Sequence, residues 1–252
     1  MGADVIDAAA WQESWDRQQE AYLPGREERF GAMLDAVEVV ADGRPPQILD
    51  LAGGTGSISL RVLGRFPEAT TTLLDLDPVL LAIARASLPD RSTVVDADLR
   101  TPAWLAALPH RDFDAVLTST ALHWVAADRL AALYREIYDA LRPGGVFINA
   151  DHMPDDGLPD LNARLLARRE ARRLTRHAAG AVLNWRAWWD HVAADPVLGP
   201  LVARRTEVFG ETPSAEFTPP LSWHVGALRD AGFTEVGIVW RGGGDAAVAA
   251  VR

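Results

Sequence analysis

The chain has 252 residues, 48% of them hydrophobic and 24% charged, the composition expected of a soluble globular protein with one large α/β domain or a core domain plus an inserted cap. All 25 basic residues are arginine and there is no cysteine, which excludes disulfides, a thiolate nucleophile, cysteine-held zinc or iron–sulfur, a Schiff-base lysine and a Walker-type phosphate loop. The net charge of -10 argues against a broad nucleic-acid surface.

Asp4 and Asp7 stand where a targeting peptide would carry basic residues, and no apolar run approaches membrane-spanning length. A cytoplasmic location with no membrane partner is therefore expected. Residues 1–42 read as two helices. Pro45-Pro46 precede a short apolar strand, Gln47 to Leu51, followed by a glycine-rich turn and a helix through Leu60 to Arg65. Thr70 to Leu74 is a second strand ending at Asp75, and Pro78 opens a helix to about Leu88. Thr93 to Val95 and Phe113 to Leu117 are the next strands. A helix from Leu130 to Leu141 stops at Pro143-Gly144-Gly145, and Val146 to Ile148 is a fifth strand. Residues 152–218 break the rhythm with helical, Arg- and Trp-rich sequence. A helix through Leu228 to Ala231, capped by Gly232, then leads to a hairpin over Phe233 to Trp240 and Ala246 to Val251.

This alternation predicts a Rossmann-like, doubly wound α/β sheet, mostly parallel, with a C-terminal antiparallel hairpin and a helical cap. The expected domains are an N-terminal helical lid (1–42), a core (43–151 and 219–252) and a substrate cap (152–218).

The richest local signal is Asp50-Leu51-Ala52-Gly53-Gly54-Thr55-Gly56, between a strand and a helix. It is either a structural turn or a nucleotide-binding loop. A dinucleotide loop requires glycine or alanine where Gly54-Thr55-Gly56-Ser57-Ile58-Ser59 has serine. Asp50 would repel a pyrophosphate and attract a cation, by roughly 4 kcal/mol at about 4 Å and an effective dielectric of about 20. Asp75 and Asp98 follow the next two strands. Each is either a cap or turn residue, or an acceptor for ribose hydroxyls (Asp75) and an adenine amino group (Asp98).

With these elements in place, the chain resembles the class I S-adenosylmethionine-dependent methyltransferases of small-molecule type. The resemblance rests on Ile48 to Gly56, Leu74-Asp75-Leu76-Asp77-Pro78, Val95-Asp96-Ala97-Asp98-Leu99, and Phe113-Asp114-Ala115-Val116 leading to Ala121-Leu122-His123-Trp124. Leu141-Arg142-Pro143-Gly144-Gly145 and Ala231-Gly232-Phe233 complete it, in family order, over roughly residues 45 to 150 and 220 to 252. Ala52 departs from the family's usual glycine.

The resemblance implies S-adenosyl-L-methionine as cofactor, with S-adenosyl-L-homocysteine as product. It implies Asp75 at the ribose, Asp98 at the adenine amino group, and Leu76 and Leu99 on the adenine faces. Ala52, Gly53 and Gly54 would line the methionine portion, with Thr118 and Ser119 near its amine, and the charge of Asp50 would meet the cationic cofactor. Tyr22 and Arg26 would fold over the cofactor, Arg26 pairing with its carboxylate; the alternative is an ordinary surface pair.

On the acceptor side, His123 is either the general base or a packed histidine. Trp124, His152, Trp185 and His224 are candidate acceptor contacts. Trp185, Trp188 and Trp189 share a helix face and either wall an apolar pocket or pack the cap. Arg164, Arg168, Arg172 and Arg176 form a stripe, read as a solvated face, with an acidic acceptor or a dimer contact as alternatives. The arginine-for-lysine bias itself reads as the mark of a GC-rich coding sequence. The expected activity is methyl transfer to a small-molecule acceptor in bacterial secondary metabolism, without nucleic acid or metal, by a monomer or homodimer. A non-methylating step such as cyclisation on the same fold, and an NAD-dependent oxidoreductase, are the alternatives.

Overall fold

The computed structural model describes residues 5–180, 182–210 and 215–252. Asp4 and the parts of the expected lid and cap at 1–4, 181 and 211–214 lie outside them.

Seven strands form one sheet: β1 (Gln47–Leu51), β2 (Thr70–Asp75), β3 (Ser92–Asp96), β4 (Phe113–Ser119), β5 (Leu141–His152), β6 (Glu235–Gly242) and β7 (Asp245–Val251). Their order is β3-β2-β1-β4-β5-β7-β6. The first five are parallel, and β7 runs antiparallel to both β5 and β6. The chain winds outward from β1 to β3, then returns to β4 on the other side. That reversal opens a crevice at the carboxyl ends of β1 and β4, where ligands bind in open α/β sheets.

The inner strands bury both faces, as parallel strands covered by helices do, while the edge strands β3 and β6 are more open. Leu49, Leu51, Val116 and Phe147 pack toward α6 (Ala127–Ala140) and α10 (Leu221–Asp230). Ile48, Ala115, Leu117 and Ile148, one residue out of phase, pack toward α2 (Arg26–Ala41) and α3 (Ser57–Arg65). Pro78 starts α4 (Pro78–Ser87), and the Asp77 side chain caps it through the Val79 and Leu80 N–H groups.

The expected strands and helices are present, with different bounds. β5 begins at Leu141, before the glycine turn, because Leu141 pairs with Phe113 and the register then shifts to Ala115 and Val146. A short α5 (Trp104–Ala107) and a 3-10 turn at Leu122–Trp124 carry too few residues for a periodic signal. Ala231 holds the C-cap of α10, and Gly232 follows at φ +107°.

The helix α1 (Ala8–Tyr22) precedes α2, while α7 (Pro159–Ala178), α8 (Trp185–Ala194) and α9 (Gly199–Phe209) lie in the segment expected to be the cap. Trp11, Trp15, Val79, Leu80, Ile83, Trp188, Val192 and Leu198 share one apolar cluster over α4. The Arg205 guanidinium donates to Asp77 at 2.6 Å, tying α9 to the start of α4. Among the described residues no helix is long and apolar enough to cross a membrane.

Candidate active site

The loop after β1 turns on backbone that side chains resist. Ala52 has φ +53° and Gly54 has φ +58°. A Cβ on Gly53 would lie 2.6 Å from Asp50 Cγ and 2.8 Å from Leu73 Cγ, so only glycine fits. Asp50 beneath it is wholly buried. Its Oδ2 accepts from the Ser59 N–H at 3.0 Å and hydroxyl at 2.7 Å, while Oδ1 is buried without a partner. Burial pushes its carboxyl up to about 6, against the Ser59 bonds and with help from the charge on Asp75. The direct cofactor contact expected of Asp50 is thereby corrected: it braces the loop against α3 and offers the crevice no surface.

Asp75 is half-buried at the end of β2. It accepts backbone N–H bonds from Gly54 at 2.8 Å, Leu76 at 2.7 Å and Asp77 at 2.9 Å. A carboxylate has about four acceptor positions, so these leave room for a hydroxyl. Burial, aided by the Asp77 charge, raises its carboxyl to about 6 although the backbone bonds oppose the shift. Leu76 is half-buried beside it.

Asp98 is bound by its neighbour: Arg100 Nε lies 2.9 Å from each oxygen and the Arg100 N–H 2.8 Å from Oδ1. Burial works against its charge, but the Arg100 bonds hold it below the usual range. An adenine amino group would have to share that carboxylate with an exposed guanidinium. Leu99 belongs to the same buried apolar cluster as Trp104 and Val125.

Several other expected cofactor contacts are redirected. Thr118 is wholly buried and its hydroxyl has no partner, so its side chain does not reach the crevice. The Ser119 hydroxyl donates to the Ala150 carbonyl at 3.2 Å. Tyr22 faces the cap: its hydroxyl accepts from the Trp185 N–H at 2.9 Å, and Arg173 sits 4.4 Å over its ring. Arg26 is buried and donates to Asp16 at 2.6 Å. Those two residues join helices to one another before they can serve a ligand.

At the ends of β4 and β5 the structure brings two histidine–carboxylate pairs together. His123 Nδ1 lies 2.8 Å from Asp151 Oδ1, and the His123 N–H donates to Asp151 Oδ2 at 3.3 Å. His152 Nδ1 lies 2.7 Å from Asp245 Oδ1. The Asp151 carboxylate fixes the proton on His123 Nδ1 and leaves its Nε2 as the basic nitrogen, whereas His152 Nδ1 also lies 3.4 Å from Arg169 Nη2. Burial alone would lower the affinity of His123 for its proton, but the hydrogen bond and charge of Asp151 outweigh it and raise it above the usual histidine value. Asp151 is held low by the same bond against its own burial.

Trp124 stands at the mouth beside His123, 43% exposed, with ring centroids 5.0 Å apart. His224 is buried, its Nδ1 2.7 Å from the Tyr134 hydroxyl, and burial pushes it down to about 4 against the charge of Asp151; Tyr134 holds the ring that was expected to contact the acceptor. Trp185 is corrected too. Trp188 meets Trp11 and Trp15 at 5.8 and 5.0 Å, and Trp185 extends that stack 6.1 Å from Trp15. The tryptophans pack the cap onto the lid.

Asp151, Asp245 and Arg29 were not singled out in the sequence. Asp151 repeats the pattern of an acid at a strand's carboxyl end. Asp245 arrives only through the antiparallel register that sets it opposite His152. Buried Arg29 donates to Asp245 at 3.2 Å from across the fold. Among the described residues, no group of three or more His, Asp or Glu is placed to hold a metal.

A family model described as "Methyltransferase domain" matches residues 48–145. The trans-aconitate 2-methyltransferase of Acidovorax ebreus (strain TPSY) is 31% identical over 222 residues, 81% of each chain. The release factor glutamine methyltransferase of Cereibacter sphaeroides is 34% identical over 117 residues, 44% of this chain and 41% of that protein. Against several such curated relatives the chain spans less than half their length. Human N-acetylserotonin methyltransferase, solved in complex with SAM, superposes with a TM-score of 0.58 at 16% identity, over 98% of this chain and 56% of that one. A methyltransferase structure from Mesorhizobium loti gives 0.53 at 19% identity, over 88% and 98%. At these identities the superpositions show a shared fold.

Proposed function

The chain belongs to the class I S-adenosylmethionine-dependent methyltransferases, and from that premise we propose that it methylates a small-molecule acceptor in biosynthesis, at the ends of β4 and β5. What supports this is a close-packed glycine loop after β1 and an Asp151-oriented His123 after β4, at the carboxyl ends of neighbouring parallel strands. The residues fit the cofactor's chemistry. The loop packs so closely over Asp50 that position 53 admits only glycine, Asp75 keeps an acceptor position free, and the loop sequence from Leu51 to Gly56 carries no lysine or arginine to favour a pyrophosphate. When bound, S-adenosylmethionine supplies a methyl group already activated on a sulfonium. Asp75 would hold the ribose hydroxyls, Asp98 the adenine edge in competition with Arg100, and the backbone of Ala52, Gly53 and Gly54 the methionine end.

The chain's own contribution is alignment and proton removal. Asp151 orients the His123 ring through its bond to Nδ1, takes a second bond from the His123 backbone N–H, and keeps Nε2 basic. An acceptor hydroxyl or amine set against Nε2 would lose its proton there as the new bond forms. Asp151 then stabilises the imidazolium. Among the described residues His123 Nε2 makes no hydrogen bond within the protein, which suits that task.

Formation of S-adenosylhomocysteine is the direct test, measured over a panel of small carboxylic, phenolic and amine acceptors including trans-aconitate. Acceptor-dependent formation, reduced in His123→Gln, supports the proposal. A product that forms while S-adenosylhomocysteine never accumulates would instead favour a non-methylating step on the same fold.

A further inference from the structure

Five arginines of α7 (Arg168, Arg169, Arg172, Arg173, Arg176) line one groove of about 510 Å³ with Trp240 and the hairpin residues Gly242, Gly243 and Gly244. That volume is in the range of small-molecule sites. The local charge is out of keeping with a chain of net charge -10. Arg169 pairs with Asp245 and Arg173 with Glu170, at 2.6 Å each. Among the described residues Arg168, Arg172 and Arg176 have no ion-pair partner. Spaced four apart on one helix, they repel one another. Glu28 and the engaged Asp245 are the only carboxylates on the lining, so the positive charge is in excess there.

A second observation lies behind the same wall. Arg29, wholly buried, stacks 4.7 Å over Trp240, and its Nε and Nη1 have no partner. Two buried guanidinium donors without acceptors are costly to leave unmet. Asp245 links this end of the groove to the acceptor side, since it binds Arg29, Arg169 and His152 together.

Building on the methyltransferase assignment, we propose that this groove binds a group of two or more negative charges, carboxylate or phosphate, carried by the acceptor. Arginine forks grip such groups bidentately. The rest of the acidic surface would repel an anion only weakly, because physiological salt screens charges beyond about 8 Å. Leu165 and Leu166, also on the lining and exposed, would take an apolar portion next to the charge.

The test titrates the full chain with tricarballylate and with inorganic pyrophosphate at constant ionic strength, with S-adenosylhomocysteine titrated in parallel. The wild type should bind at least one of the two anions, and the better ligand identifies the group as carboxylate or phosphate. The double variant Arg168→Gln/Arg172→Gln should bind it at least tenfold more weakly, while Arg186→Gln, on exposed α8, should not differ from wild type. Absence of binding by either anion, or equal binding by the double variant, with S-adenosylhomocysteine binding intact, would overturn this proposal alone. Loss of S-adenosylhomocysteine binding by the wild type would overturn the assignment beneath it.

Discussion

The imidazoles of His123 and His152 lie 5.6 Å apart, centroid to centroid, and each is held through Nδ1 by a different buried carboxylate. The two carboxylates come from adjacent strands of the one sheet. Asp151 is the neighbour of His152 on β5, while Asp245 reaches His152 from β7. The result is a pair of oriented nitrogen bases at the carboxyl edge of the sheet, beside a loop shaped for close backbone approach.

Asp151→Asn tests the first pair. Without the carboxylate, His123 loses the partner that raises its proton affinity, so the acidic limb of the kcat–pH profile should move to lower pH. The weakened, misoriented base should lower kcat by about a hundredfold, the lower end of the range attributed to general-base catalysis. Affinity for S-adenosylhomocysteine should change by less than about twofold. An unchanged pH profile would remove His123 from the proton-transfer role.

Asp50→Asn tests the brace under the loop. Asp50 and Asp75 both have their carboxyls raised to about 6 in the folded chain. A raised carboxyl binds more protons folded than unfolded, so stability should fall as pH rises from about 4 to above about 6. Asparagine can keep the Ser59 bonds without the buried charge and should flatten that part of the profile. A profile by chemical denaturation that is identical in the variant would contradict it.

The loop's backbone makes opposite predictions at adjacent positions. Gly53→Ala places a Cβ against Asp50 and Leu73 and should both destabilise the chain and weaken S-adenosylhomocysteine binding more than tenfold. Ala52→Gly removes a side chain held at φ +53° and should leave binding intact, with stability equal or up to about 1 kcal/mol higher. Thermal melts and titrations of both variants check the pair.

The tryptophan stack separates packing from recognition. Trp188→Ala should cost about 3 kcal/mol or more, because a wholly buried ring contacts both Trp11 and Trp15. Trp185, 42% exposed at the stack's edge, should tolerate alanine with little change in acceptor KM. A large KM effect from Trp185 with no effect on stability would restore it to the acceptor site.

The sheet was legible because its strands and helices differ in period, and because Gly, Pro and Asp punctuate their ends. The positions of Asp50, Asp75 and Asp98 were legible for the same reason. Their partners were not: Ser59, Gly54 and Arg100 claim these carboxylates through local turn geometry that periodicity does not encode. His123 stood out as a titratable residue after β4, but Asp151 and Asp245 required strand register. Trp185 and His224 were misplaced because an aromatic or imidazole ring in sequence looks the same whether it faces a ligand or a core. The arginines of α7 read as a solvated stripe until the hairpin was seen to close a groove against them.

The central claim is that the crevice at β1 and β4 holds S-adenosylmethionine by way of Asp75. Calorimetric titration of the purified chain with S-adenosylhomocysteine, beside Asp75→Ala and with NADH as the competing ligand, addresses it directly. The expected result is one site per chain, affinity rising as pH passes upward through about 6 as Asp75 ionises, at least a tenfold loss in Asp75→Ala, and no NADH binding. Binding of NADH without S-adenosylhomocysteine, or equal S-adenosylhomocysteine affinity in Asp75→Ala, would contradict it.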